Sequence, residues 1–434
     1  MLYIYDYYIL KINYFYLICQ KMKEKEILIV KIIFIIIFFS ATIGLEFVYR
    51  GPLFDHSIKI AETVQKIFEK TIGFFNIYTH LGIIEAFWIA VVFLFFPISY
   101  CYTFFINSVI TTHLCNYFKL LYGQGRPYLK EGGKYVLKAA PEKGYGNPSG
   151  HSFGSTTVYL GLSQLIIDYF QLGIIPSIFI YIGVAILILL VNFSRVLLGV
   201  HSVNQIIFGD TLGFTVFFTI FIIIKPHLRE PKKFYDKFLN LRYHLINTLF
   251  FIITLAYTIV GAIICNITRK GKKDYEELEK KLLNEYNSFE NQILTRDSVT
   301  KCFMITAYFG MVCGMSMLTH FVKNNYKCTF ESLNNFNKNT NKKWYIVYPI
   351  KLLMIVFCYI PYVAFYIRPK NMNQYLYYIL GSSVPMFIFG FLLFGPNFIF
   401  NILFGIGNKD IYLIPDLGNN LNMEYKLGEE EEED

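Results

Sequence analysis

Long apolar runs alternate with short polar breaks along most of the chain, and a run of about 20 residues is what a helix needs to cross a bilayer. Ten segments meet that criterion: 27–48, 81–98, 100–121, 152–168, 174–194, 203–224, 246–265, 302–322, 346–367 and 376–404. The last is too long for one upright helix and carries Pro385 with several glycines, so it is expected to tilt or break. Two polar intervals keep helical periodicity. Ile60, Val64, Ile67, Phe68 and Ile72 make one stripe within 58–72, the pattern of a short helix lying on a membrane surface. Leu278, Leu282, Tyr286, Phe289 and Ile293 recur at helical spacing in 269–301, the longest hydrophilic stretch. The predicted fold is all-α, a polytopic transmembrane bundle of about ten spans. It divides into an N-terminal segment (1–26), a six-span core (27–224), about four further spans (225–408, with a charged loop at 266–301) and an acidic tail (409–434) ending in GEEEEEED.

Composition narrows the class. Only 16% of the 434 residues are charged against 55% apolar, which excludes an ordinary soluble enzyme. The net charge of +9 is spread over many short loops, so no nucleic-acid footprint emerges and anionic headgroups are the expected partner. Eight cysteines include no CxxC pair and no zinc spacing, so neither a disulfide framework nor a metal site is implied. The first 20 residues carry Asp6 and Lys11 in their apolar stretch and lack a basic n-region or cleavage site, so they do not read as a cleaved signal peptide. Lys and Arg are nearly balanced between the two faces, so charge does not orient the bundle.

Chemistry concentrates in 119–210. KLLYGQGRP closes the third apolar segment with Lys119, Arg126 and Pro127; GNPSGHS opens the fourth with Ser149, Gly150 and His151; SRVLLGVHSVNQ ends the fifth with Ser194 and Arg195 and opens the sixth with His201. From His151 to Ser194 the chain has room for one helix out and one back, each about 30 Å, so both positions belong to one face. Alternation of spans brings Lys119 to that face as well. Three cations at one depth call for an anion, and Arg forks suit phosphate oxygens. A helix N-terminus after Pro148 favours the same ligand, and Gly150 allows close approach. Two histidines beside a phosphoryl group can divide the work, one attacking phosphorus and one protonating the leaving alcohol. Taken singly, each residue has a bland explanation: a snorkelling lysine, a capping serine, a packed histidine. Their conjunction reverses that weighting. His113, inside the third segment, is expected to be a buried hydrogen-bonding group, and Lys31 and Lys351 are expected to snorkel.

This set resembles the type 2 phosphatidic acid phosphatase superfamily, which includes lipid phosphate phosphatases, sphingoid-base phosphate phosphatases, glucose-6-phosphatase, polyprenyl diphosphatases and the vanadium haloperoxidases. The resemblance covers about 27–224. It implies a metal-independent phosphatase without a cofactor, in which His201 is the nucleophile, His151 the general acid, and Lys119, Arg126, Ser149, Gly150 and Arg195 hold the phosphate. One position departs: where the family pattern usually places Asp four residues after the nucleophile, this chain has Gln205. Spacing i, i+4 sets Gln205 beside His201, where its amide oxygen can accept a ring N–H but supplies no charge. Asp210, nine residues on, points to the other side of the helix. Gln at this position is similar to the glucose-6-phosphatase and dolichyl diphosphate phosphatase branches. The substrate implied is a lipid phosphate such as phosphatidate or a sphingoid-base phosphate, with a sugar phosphate and a polyprenyl diphosphate as alternatives. From another class, a transporter or lipid-binding protein with an inactive anion pocket fits the same residues. The resemblance also suggests a motif face that is lumenal or exterior, and an endomembrane such as the endoplasmic reticulum is the expected location.

Overall fold

The structure, a computed structural model, describes residues 24–81, 85–129, 136–139, 142, 144–269, 277, 280, 293–327, 329–335, 343–366, 381–406 and 412–413. The N-terminal segment before Glu24, the acidic tail and nearly all of the periodic stretch between 270 and 292 lie outside the described residues. Apart from a two-residue antiparallel pairing of β1 (Tyr326–Lys327) with β2 (Tyr412–Leu413), the architecture is helical. The core comprises α1 (Glu24–Ile67), α2 (Ile72–Leu81), α3 (Glu85–Phe95), α4 (Ile98–Tyr122), α5 (Gly150–Phe170), α6 (Ile174–Leu197) and α7 (Val203–Arg229). Beyond it follow α8 (Pro231–Phe238), α9 (Leu241–Arg269), α10 (Ile293–Cys302), α11 (Ile305–Asn325), α12 (Phe330–Asn334), α13 (Trp344–Cys358), α14 (Ile360–Tyr366), α15 (Val384–Phe394) and α16 (Pro396–Leu403).

Seven described segments are long and apolar enough to cross a bilayer: 29–67, 174–197, 203–221, 241–265, 297–325, 344–363 and 381–403. Three of the ten expected spans are not in that set. The expected span 81–98 is described only in part, as α3 with 11 residues, because 82–84 lie outside the described residues. By contrast α4 and α5 are long enough but carry polar rows, Asn107, Thr111, His113 and Asn116 on one and Ser152, Ser155, Thr156 and Thr157 on the other. All eight are buried, so these helices turn their polarity inward and their neighbours shield them from lipid.

Two other expectations are corrected, and a third is located. The stripe in 58–72 does not form a separate surface helix: α1 runs 44 residues through Pro52. Proline removes one backbone donor there, but tertiary bonds hold the continuation, since Ser57 Oγ accepts from Val203 N at 3.0 Å and Gln65 Nε2 donates to the Leu197 carbonyl at 2.8 Å. The segment 376–404, expected to tilt or break, does break within its described part: α15 and α16 part at Gly395, while Pro385 sits in the first turn of α15, where its missing N–H is harmless. Lys351 does not snorkel; it is buried at 3% exposure, facing the bundle.

Glycines allow close crossings in the core. A Cβ on Gly209 of α7 would meet the Ser149 carbonyl at 2.7 Å, and one on Gly213 would meet Thr156 Cβ at 2.8 Å, so α7 lies directly against α5. This contact fixes α5, which carries His151, against α7, which begins just after His201.

Candidate active site

Helix ends assemble the site. Gly123, in the left-handed region at φ 58°, closes α4 with its N–H on the Lys119 carbonyl, leaving Lys119 in the last turn and Arg126 just beyond it. Ser149 caps α5, its hydroxyl accepting from Ser152 N at 3.4 Å, while its own N–H donates to the Gln205 carbonyl at 2.9 Å. Arg195 lies in the last turn of α6, and Gly199 at φ +71° turns the chain so that His201 precedes α7. The expected one-face arrangement of Lys119, Arg126, Ser149, Gly150, His151, Arg195 and His201 is therefore what the fold brings together.

The proton on His201 follows from its neighbours. Gln205 Nε2 donates to the Gly125 carbonyl at 2.8 Å. A carbonyl only accepts, so the amide oxygen must face the other way, where Nδ1 of His201 lies 3.1 Å away. Nδ1 therefore carries the proton, and Nε2 keeps its lone pair on the pocket side. Gln124 Oε1 supports the arrangement by accepting from Gln205 Nε2 at 3.3 Å and from Asn204 Nδ2 at 3.0 Å. Gly146 leaves the room: a Cβ there would lie 2.6 Å from the Gln205 amide.

Around Nε2 the pocket is cationic. Arg126 Nη1 donates to His201 Nε2 at 3.0 Å and to the Val200 carbonyl at 3.1 Å, and its Nε donates to the Gly144 carbonyl at 3.2 Å. Arg195 Nη1 donates to Thr79 Oγ1 at 3.2 Å. Both arginines are fully buried. The Lys119 ammonium lies 3.6 Å from where a Cβ on Gly150 would stand, which places it beside the α5 N-terminus. A ring nitrogen of His151 lies within 4.8 Å of one of His201. Among the described residues, His151 Nε2 and Arg195 Nε are buried without a hydrogen-bond partner.

The sequence reading missed Glu142. Its Oε2 pairs with Arg126 Nη1 at 2.9 Å, and its Oε1 pairs with Arg195 Nη2. Three buried cations demand counter-charge, and Glu131 and Glu142 are the carboxylates between the first two motifs; that was the available signal. Burial alone would raise the Glu142 carboxyl, but Arg126 and Arg195 hold it well below the usual carboxylate range. Burial pushes His201 well below the ordinary imidazole range, and Arg126 and Arg195 push the same way, so the ring is neutral.

Glu142, His151 and His201 present donor atoms within 4.8 Å of one another, as a metal ligand set does. The two guanidiniums already paired to Glu142, with Lys119 behind them, oppose a dication, so the donor set fits an anion better. Two other groups are occupied elsewhere. Asp210 accepts from Thr156 Oγ1 at 2.7 Å and Asn192 Nδ2 at 2.6 Å, joining α5, α6 and α7 away from His201. His113 bonds the Cys302 carbonyl and the Tyr257 hydroxyl.

Comparison with known proteins gives three matches. Residues 83–229 match the sequence model of the PAP2 superfamily. Phosphatidylglycerophosphatase B of Bacillus subtilis is 32% identical over 96 residues, covering 22% of this chain and 45% of that protein. The match thus spans less than half the length of that curated relative. The crystal structure of a transmembrane PAP2 type phosphatidylglycerolphosphate phosphatase from Bacillus subtilis is similar at a TM-score of 0.37 and 21% identity, covering 44% of this chain and 96% of that chain.

Proposed function

Residues 83–229 belong to the PAP2 superfamily, and from that premise we propose that the protein is an integral membrane phosphatase. In this reading it hydrolyses a lipid phosphate monoester through a phosphohistidine, without a metal. The observation that carries the reading is the pair of ring nitrogens within 4.8 Å, set in a pocket walled by Arg126, Arg195 and Lys119.

His201 Nε2, with its proton held on the far nitrogen by Gln205, attacks phosphorus. The N–P bond forms as the ester P–O bond breaks, and His151 gives its proton to the departing alkoxide. Water then attacks phosphorus and loses its proton to His151; the N–P bond breaks and phosphate leaves. Arg126, Arg195, Lys119 and the N–H groups at the start of α5, opened by Ser149 and Gly150, hold the charge that develops on the equatorial oxygens. Gln205 supplies orientation rather than charge.

A lipid substrate suits the placement, because every contributing residue sits at a helix end, the depth of headgroups, while acyl or sphingoid chains stay among the spans. Phosphatidate and sphingoid-base phosphates are the first candidates. The name of the curated relative adds phosphatidylglycerophosphate. The test is phosphate release by the full-length protein in detergent with EDTA, from these three lipids, glucose 6-phosphate and dolichyl diphosphate. Release from a lipid monoester that disappears in His201→Ala is expected; binding without turnover on every compound overturns the enzymatic reading in favour of a carrier.

A further inference from the structure

One carboxylate stands among the cations without belonging to any motif. Glu142 touches Arg126 and Arg195, and its Oε2 lies 3.9 Å from His201 Nε2. Under the proposed function those three groups bind and attack the phosphoryl group. A carboxylate offers guanidinium forks the same two-oxygen edge as a phosphate.

We propose that Glu142 is a tethered anion that occupies the phosphoryl site between turnovers, so that a substrate binds by displacing it. The proposal rests on the phosphatase reading for the identity of the incoming group, not for the existence of the anion site.

Three observations support it. Glu142 is the member able to leave: its side chain is 29% exposed against 1% for each arginine, and it sits on the connection between α4 and α5 rather than on a helix. The carboxylate leaves hydrogen-bonding capacity unused, since Arg195 Nε and His151 Nε2 are buried without partners. A phosphoryl group brings a third oxygen and a leaving oxygen to meet them. The pocket is also drawn in around the smaller group. An attacking nitrogen about 3 Å from phosphorus, with a proton donor about 2.8 Å from the leaving oxygen, places the two nitrogens about 6–7 Å apart. Here ring nitrogens of the two histidines are within 4.8 Å.

The tether gives the site a charge threshold. A monoanion, such as a phosphodiester, gains little by exchanging places with a carboxylate of equal charge. The dianion of a monoester brings a second charge and a further acceptor. Glu142 is in this sense a specificity-determining residue, favouring monoesters over diesters.

The experiment titrates inorganic phosphate and dimethyl phosphate into the full-length protein in detergent, comparing wild type with Glu142→Gln and Glu142→Asp by calorimetry. Glu142→Gln is expected to bind phosphate about tenfold more tightly and to gain at least as much for dimethyl phosphate, narrowing discrimination between the two. Glu142→Asp, its charge drawn back by one methylene, is expected to fall between wild type and Glu142→Gln. Phosphate affinity in Glu142→Gln that is unchanged or weaker overturns the proposal, because the carboxylate then only braces the guanidiniums. Should Glu142→Gln lose its thermal transition, Glu142→Asp decides: tighter phosphate binding supports the tether, equal or weaker binding overturns it. Tightening in a protein that hydrolyses no phosphate ester leaves the tether standing and removes the phosphatase reading; hydrolysis without tightening does the reverse.

Discussion

Among the described residues, two buried polar nodes contain histidine, and they differ in what their atoms are doing. At the node between α4, α9 and α10, His113 Nδ1 donates to the Cys302 carbonyl at 2.7 Å, and Nε2 accepts from the Tyr257 hydroxyl. Both ring nitrogens are engaged. At the motif pocket, His201 is likewise engaged at both ring nitrogens, with Gln205 and Arg126, but His151 Nε2 and Arg195 Nε are buried without partners. Burial is common to both nodes, so burial does not distinguish them. The difference is hydrogen-bonding capacity left unspent beside a cluster of cations.

The comparison breaks first on His201. His201→Ala should lower hydrolysis of the best lipid phosphate by about 10⁴-fold or more while inorganic phosphate still binds. Measurement of kcat and of phosphate binding on the same preparation checks this, and loss of both together would make His201 a structural group like His113.

Arg195→Lys comes next. It keeps the charge but loses the planar fork, and kcat/KM should fall about 30–100-fold. Steady-state kinetics read this, with a loss under about threefold arguing against guanidinium recognition of phosphate.

The pH profile sharpens the contrast further. His201 is neutral down to well below the ordinary imidazole range, because burial disfavours its charged form and Arg126 and Arg195 add to that effect, so the acid limb of kcat/KM should lie on the low side of pH 6.5. Glu142 acts in the opposite sense, raising the His201 value, while Lys119 lowers it. Glu142→Gln should therefore move the limb further down, and Gln205→Asp, which adds negative charge beside Nδ1, should move it up. Limbs moving the same way in both variants would show that His201 does not set it.

His113→Phe is expected to have the smallest effect on catalysis. It leaves the Cys302 carbonyl and the Tyr257 hydroxyl unpaired and should cost about 1–3 kcal/mol of stability. The melting temperature in detergent should drop by a few degrees, with kcat within about twofold of wild type. A loss of kcat at unchanged stability would join the two nodes functionally.

The parts that sequence made legible are those with a period or a fixed offset. Apart from the continuation of α1, apolar runs located the spans to within a few residues of their helices, and the seven motif positions lie at or beside helix ends because each motif begins or closes a run. The Gln205 contact was legible from a four-residue offset on one helix. Where pattern was absent, so was the signal. Glu142 sits in a connection with no periodicity, and only the charge balance of the pocket singles it out. The continuation of α1 past Pro52 was hidden because local rules favour a break there, while the bonds that override them come from residues more than 70 positions away. Polar helices such as α4 and α5 illustrate the same point, since hydropathy cannot distinguish a polar row facing solvent from one facing neighbouring helices.

The continuity of α1 bears on how the core can be moved between proteins. Its length delivers Ser57 and Gln65 to the motif loops and Glu46 to Asn147, whose Nδ2 donates to it at 2.7 Å just before the Pro148 that leads into α5. None of these three lies within 83–229. A gene fragment cut to that stretch would keep every motif residue yet lose the brace that orients them, so a portable cassette of this core has to begin upstream, at the first helix.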